Sequence, residues 1–260
     1  DAYGTGAAPI IIGFNDVTAW TYLGGNKWES TGAVSALSTC NIISINGVSY
    51  SQGRTPDVGY WTIQSHNGQS SITDNVNLNA ATTNWAGAQI VLRKYRWIMD
   101  KYTINSASGG TLFFNSSGDE IQDGWGYFIM NDPRCLNLPN EWSYNSTTKK
   151  ITIYSVTAPV NVQVPGIATA LDLNGERGIT LRNLDIRGYN NVGINTVGQS
   201  NITIEQCSIT YVGGDAIDGY PNSAELNVTS CYIANIGSRG IRAGSSDNAY
   251  IFNNNLLNIG

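Results

Sequence analysis

Four segments in the last third of the chain repeat at a nearly constant interval. They are Ile179–Ile186 (ITLRNLDI), Ile202–Ile209 (ITIEQCSI), Leu226–Ile233 (LNVTSCYI) and Tyr250–Leu257 (YIFNNNLL), and their starts lie 23, 24 and 24 residues apart. A unit this short cannot bury an apolar side alone, so it must stack on its neighbours in a solenoid. Within each unit the apolar residues alternate with a period of two, which is the signature of strands. A helical leucine-rich repeat needs a longer apolar helix and its Asn signature, and neither is present. The expected fold is all-β: a right-handed parallel β-helix in which each repeat is one coil of three short strands.

Stacked coils bring every 23rd or 24th residue into a column, with neighbours about 4.8 Å apart. One inward column reads Leu181, Ile204, Val228 and Phe252, and a second reads Ile186, Ile209, Ile233 and Leu257. A third, from the remaining strand, reads Leu171, Ile194, Ile217 and Ile241. Asn183, Gln206, Ser230 and Asn254 stand at the bend between the first two columns, where a polar ladder can satisfy backbone groups freed by the turn. Cys207 and Cys231 fall inward with Leu184. Stacked parallel side chains rarely reach the torsion of a disulfide, so free thiols are expected there. The pairing of Cys40 and Cys135 is left open.

Residues 31–155 lack the period. They hold alternating runs such as Ile42–Ile45, Ile90–Leu92, Thr111–Phe114, Tyr127–Ile129 and Ile151–Tyr154, with turns at Asn46-Gly47 and Asn67-Gly68. This reads as an inserted antiparallel β-sandwich-like unit. Residues 1–30 are then an edge segment of the helix, and residues 156–260 are the coils, truncated at their C-terminal end. Composition agrees. Only 13% of residues are charged, while Gly numbers 29 and Asn 30, so helix formers are scarce and turn formers abundant. The net charge of −5 speaks against nucleic acid as a partner, and no apolar run is long enough to span a membrane as a helix.

Several local sequences resemble one family: Ala2–Ile11 (AYGTGAAPII), Gly53-Arg-Thr-Pro56 with Gly59-Tyr60, Gly126–Asp132 (GYFIMND), and Asn140–Tyr144 (NEWSY) running into Lys149–Tyr154. With the coils they resemble secreted bacterial right-handed β-helix proteins of the Bacteroidetes type, and the layout is similar to β-helix glycoside hydrolases and polysaccharide lyases with a β insert. The resemblance implies an extracellular or cell-surface location and a polysaccharide or glycan partner. In that family the opening motif closes an earlier coil and further coils follow. A piece of a longer multimodular chain is therefore expected here, with other domains of the parent as partners.

The chemistry-bearing candidates form a column just after the third apolar residue: Asp172, Asn195, Asp218 and Arg242, spaced 23, 23 and 24 residues. Asp172 and Asp218 would stand two coils apart, roughly 9–10 Å between backbones. Inverting glycosidases hold their two carboxyls about 6.5–9.5 Å apart, so acid and base roles are compatible. Asp215, in Gly214–Asp218, looks like the acid-bearing strand of β-helix polysaccharide hydrolases and joins the catalytic candidates. Asn195, Arg239 and Arg242 are the substrate-binding candidates, and Arg242 is alternatively the base of a lyase. A structural reading stands beside this one. Asp218 faces Arg242 one coil on, Asp215 faces Arg239, and Arg182 faces Glu205, and such cross-strand pairs stabilise sheets. The competing expectation is thus a non-catalytic surface or adhesive module.

The other candidates carry less. His66 is the only histidine, placed in a loop, with no partner set for a triad or zinc site. Glu141, ahead of Trp142, reads as an anchor of the insert. Trp61, Trp85 and Trp125 would be sugar platforms if exposed and core otherwise. No cofactor or metal is expected. Asp247-Asn248 could hold Ca²⁺ at a coil turn, but no motif supports it.

Overall fold

The computed structural model describes residues 6–78, 84–244 and 247–260. The Ala2–Thr5 part of the opening motif lies outside them. The chain is all-β apart from a single described 3₁₀ turn at Pro133–Cys135. Its C-terminal part is a right-handed parallel β-helix with three faces. The first face stacks Thr169–Asp172, Val192–Asn195, Asp215–Asp218 and Ile241–Arg242. The second stacks Thr180–Arg182, Ser200–Glu205, Ala224–Thr229 and Tyr250–Phe252. The third stacks Asp185–Tyr189, Ser208–Val212, Tyr232–Ile236 and Asn255–Ile259, with Ile10–Ile12 added in parallel beneath Asp185–Tyr189.

Alternation sends one set of side chains into the coil axis. Ile11 pairs with Ile186, and Ile186, Ile209 and Ile233 form one continuous buried column. Leu171, Ile194, Ile217 and Ile241 form another, and Leu181, Ile204 and Val228 a third. The final coil differs from the expected register by one residue. Asn227 pairs with Tyr250, so Ile251 stacks on Val228, and Leu256 on Ile233. Phe252 therefore points outward and is exposed, and Leu257 pairs with Ala234. Asn254 enters the inward position above Cys231. There its amide donates to the Val228 carbonyl at 2.8 Å and accepts from the Cys231 N–H at 2.9 Å.

The bends explain the Asn content. Three series of stacked positions have positive φ: Gly178, Asn201, Glu225, Asn248; then Asn183, Gln206, Ser230, Asn253; then Gly188, Tyr211, Asn235, Asn258, all with φ between 53° and 85°. The bend ladder thus ends on Asn253, not Asn254. Asn and Gly fill eight of these twelve positions, since they enter the left-handed region at least cost. Stacked amides also bond along the axis, Asn258 to Asn235 at 3.1 Å. Glu225 is one exposed misfit, with φ 53°. Glu225→Asn is expected to stabilise the fold by about 0.5–1 kcal/mol, read as a small upward shift in Tm.

The antiparallel part has two cores. An eight-stranded sheet, including Gln89–Tyr95, Ile98–Ser108, Thr111–Phe114 and Gly126–Met130, encloses Ile63, Ile72, Ile90, Leu92, Ile104, Leu112, Phe114, Tyr127 and Ile129. A second core gathers Val17, Ile43, Trp142, Tyr144, Ile151, Ile153 and Val164 between two four-stranded sheets. Its strands come from Phe14–Val17, Trp20–Gly24, Lys27–Ser30, Trp142–Asn145, Lys150–Tyr154 and Val162–Pro165, as well as the Ser44–Ile45/Val48–Ser49 hairpin. That hairpin turns on Asn46 (φ 52°) and Gly47 (φ 76°), the pattern of a tight two-residue connection. Asn190, buried in the coils, ties the two parts together: its carbonyl oxygen Oδ1 accepts from Asn41 N–H at 2.8 Å, and its Nδ2 donates to the Thr39 carbonyl at 3.1 Å. His66 lies on the edge strand Ser65–Asn67 instead of in a loop, 2.6 Å from Asp123. All four cysteines are free and buried.

Candidate functional site

The first face carries the ladder. Asp172 pairs with Asn195, Asn195 with Asp218, and Asp218 with Arg242, so the four side chains form one outward row beside the inward-facing Leu171, Ile194, Ile217 and Ile241. The row is set by strand alternation: an inward apolar residue puts the next one outside. Asn195 donates to Asp172 Oδ1 at 3.0 Å and accepts from the Val197 N–H at 3.1 Å. Asp218 accepts from the Tyr220 N–H at 3.1 Å and lies 3.6 Å from Arg242 Nη1. The Arg242 guanidinium also sits 4.2 Å from the centre of the Tyr220 ring, which is 40% exposed. The ladder thus places a flat, sugar-sized aromatic next to a cation and a carboxylate.

Asp215 is placed differently. It is 8% exposed, and its carboxylate accepts from the Arg239 N–H and from Arg239 Nη1, both at 3.1 Å. It locks one coil to the next, and its oxygens face Arg239. Arg239 itself keeps half of its side chain in solvent. On the second face Arg182 bonds to Glu205 one coil on. Glu141 accepts from the Asn137 and Leu138 N–H groups, both at 3.0 Å, and so shapes its own turn. Trp61, Trp85 and Trp125 are half-buried; Trp85 is covered by Arg134 at 4.5 Å and Trp125 by Arg93 at 5.6 Å.

The ladder is an open face, whereas the enclosed space lies elsewhere. A cavity of about 440 Å³ opens between the two antiparallel cores, but its carboxylates are already held, Glu29 by Lys150 at 3.0 Å and Asp132 by Arg134 at 2.6 Å. A groove of about 820 Å³ runs between the eight-stranded sheet and the coil bends, lined by Arg54, Lys101, Phe128, Asn235 and Asn258. Neither contains Asp172, Asp215 or Asp218. The basic groove was not legible in the sequence, because its residues come from strands far apart in the chain. Among the described residues no group of three or more His, Cys, Asp and Glu is arranged to hold a metal ion, and the Asp247 backbone carbonyl accepts the Glu225 N–H at 2.7 Å. Among the described residues, too, no helix is long and apolar enough to cross a membrane.

Comparison with known proteins places the fold. The family described as right handed beta helix region matches residues 143–260. A solved structure described as a glycoside hydrolase superposes with a TM-score of 0.64 at 13% identity, over 89% of this chain and 53% of that one. The chain therefore spans about half the length of that glycoside hydrolase. The tailspike protein gp49 from Pseudomonas phage LKA1 aligns with a TM-score of only 0.21 at 12% identity, over 76% of this chain and 37% of that one, and no fold relation is drawn from it. No curated protein matches in sequence. The molecule is a right-handed β-helix protein whose fold is similar to that of a glycoside hydrolase, with the antiparallel sheets packed ahead of its coils.

Proposed function

We propose that this chain is an extracellular, carbohydrate-active β-helix unit that lays a polysaccharide along the first face. The observation that carries the reading is the outward ladder Asp172–Asn195–Asp218–Arg242 beside the exposed Tyr220 ring. Sugars bind flat on aromatic rings and are oriented by a few polar groups. Here Tyr220 supplies the platform, and Asn195, Arg239 and Arg242 supply the donors.

The reaction proposed is hydrolysis with inversion. Asp172, whose bonded neighbours are neutral, is cast as the acid that protonates the glycosidic oxygen as the C–O bond breaks. Asp218, facing the Arg242 cation, is cast as the base that takes a proton from water while the water oxygen bonds to the anomeric carbon. Two inter-strand spacings separate them by roughly 9–10 Å at the backbone. That spacing lies at the upper end of the inverting range of about 6.5–9.5 Å, with Asn195 standing between the two carboxylates. Asp215 is assigned to hold the Arg239 coil in place beneath them.

A second reading is favoured by the hydrogen bonds. Each ladder carboxylate already has a partner one coil on, Asn195 bonded to Asp172 and Arg242 paired with Asp218, and the face is open to solvent. A stiff binding module without turnover fits that pattern. The decisive measurement is a panel of neutral and acidic polysaccharides scored for new reducing ends and for the absorbance of unsaturated products. Hydrolysis predicts reducing ends without that absorbance, and a loss of about 100-fold or more in kcat for Asp172→Asn and Asp218→Asn with the fold intact. Turnover that survives both substitutions removes the acid–base assignment. Binding without any turnover establishes the second reading.

A further inference from the structure

The outer face of the eight-stranded sheet holds most of the uncommitted positive charge. Seven of the fourteen Lys and Arg side chains make an ion pair among the described residues. Of the other seven, Arg54, Arg93, Arg96 and Lys101 lie together on this face and its adjoining turn. Strand register brings them there. Arg93 pairs with Met99, Val91 pairs with both Lys101 and Phe128, and Arg54 pairs with Met130. Alternation that buries Ile90, Leu92 and Tyr127 turns this set outward.

Two concavities mark the ends of the face. One is the 820 Å³ groove against the coil bends, and the other is a pocket of about 320 Å³ lined by Tyr60, Arg93, Arg96, Trp97 and Met99. No Asp or Glu lines either one. Arg54 bridges them, stacked 3.7 Å from the Phe128 ring centre and 5.6 Å from that of Tyr60. Tyr60 and Trp97 are 59% and 75% exposed. Asp57, close enough for its charge to act on Arg54, receives two bonds from Asn137. Lys101 keeps contact with solvent but sits within the groove walls, and lost hydration pushes its ammonium below the ordinary lysine value. A bound anion would offset that cost.

We infer that this face is a binding site for an acidic glycan, carboxylated or sulfated, distinct from the ladder on the coils. In a chain of net charge −5, four cations without an ion pair, around two concavities that no Asp or Glu lines, leave a local field of the opposite sign to the whole. Exposed rings between the cations stack on sugar faces, and the amides of Asn235 and Asn258 on the far wall of the groove offer hydroxyl partners. This chemistry fits a sugar chain better than a nucleic acid, whose binding rests on a broad basic surface and loses steeply with salt.

The test is affinity electrophoresis and calorimetry of the intact chain with polygalacturonate, heparin, neutral dextran and a single-stranded oligothymidylate. The expected result is retardation by polygalacturonate or heparin, none by dextran, and weaker retardation by the oligonucleotide. Arg96→Gln with Lys101→Gln, both on exposed side chains, should weaken glycan binding at least tenfold with Tm unchanged. Arg177→Gln, which removes an exposed cation outside both concavities, should leave it as it is, which separates this face from positive charge elsewhere on the chain. Absence of retardation by either acidic glycan, equal retention of glycans and oligonucleotide, or full binding by the double variant would each overturn the assignment.

Discussion

Asp74→Ala should cost about 4 kcal/mol of stability, among the largest losses expected from any single side chain. Asp74 is 1% exposed. It accepts from the Val76 and Asn77 N–H groups, both at 3.0 Å, from Asn77 Nδ2 at 2.8 Å and from the Tyr127 hydroxyl at 2.8 Å. Each bond to a charged acceptor is worth about 1.5–3 kcal/mol, less than additively, and the buried Tyr127 hydroxyl is left with no acceptor. Asp74→Ala combined with Tyr127→Phe should recover part of the loss, because the orphaned hydroxyl goes with it. If the double variant is no more stable than the single one, the hydroxyl was not the cost.

The same residue sets an acid limb. Burial alone would raise its pKa, but the bonds from Asn77, Tyr127 and Val76 outweigh burial and leave it below the ordinary carboxylate value. A depressed folded pKa gives stability that is present above the unfolded value, near 3.8, and lost as pH falls through the folded one. Asp74→Asn should therefore flatten the fall in Tm below about pH 4. Tyr127 is the mirror case. Burial, then the bond to Asp74 and its charge, push the phenol up, so its contribution holds below about pH 10 and declines above it.

Gly214→Val is expected to cost about 3 kcal/mol or more. The Cβ would fall inside the van der Waals contact of the Asn191 carbonyl oxygen, with Asn191 C at 3.0 Å and Cα at 3.3 Å. All three are backbone atoms of the coil beneath, held by the Asn191 N–H bond to the Ala168 carbonyl at 2.8 Å, so no rotamer change relieves the clash. Gly237 shows the same close approach in the neighbouring column, its Cβ position 2.5 Å from the Gly213 carbonyl oxygen of the coil beneath. These glycines let the bend after the third face stack at strand spacing. Since each coil contacts only its neighbours, the damage should begin locally. Proteolysis is expected to open the chain near residue 214 before the antiparallel cores unfold. Gly178→Asn is the control, because that site is a left-handed bend with only the Asn201 amide nearby, at 3.9 Å. A Gly214→Val protein as stable as the control would show that the coils can spread at little cost.

Much of the β-helix was legible in the sequence because a solenoid writes its tertiary contacts as a period. Leu171, Ile194, Ile217 and Ile241 meet through spacing alone, and the same spacing placed Asp172, Asn195, Asp218 and Arg242 in one row. The last coil shows where that legibility stops. Tyr250-Ile-Phe and Leu256-Leu257 offer an apolar residue at either parity, so the pattern permits two registers one residue apart. The fold selects the one that puts Asn253 in the left-handed bend above Ser230 and satisfies Asn254 inside.

By itself, then, the sequence determined the coil architecture, the columns of its core and the outward ladder, because in a repeat the residues that touch are a fixed distance apart along the chain. Three-dimensional packing chose between the two readings of Asp215, burying its carboxylate against Arg239, and brought strands from both sides of the eight-stranded unit into its companion core. It also decided that Arg54, Arg93 and Lys101 gather on one face. Antiparallel pairing joins residues at no fixed separation, and strand twist and bulges such as that between Arg93 and Tyr95 set which side chains align.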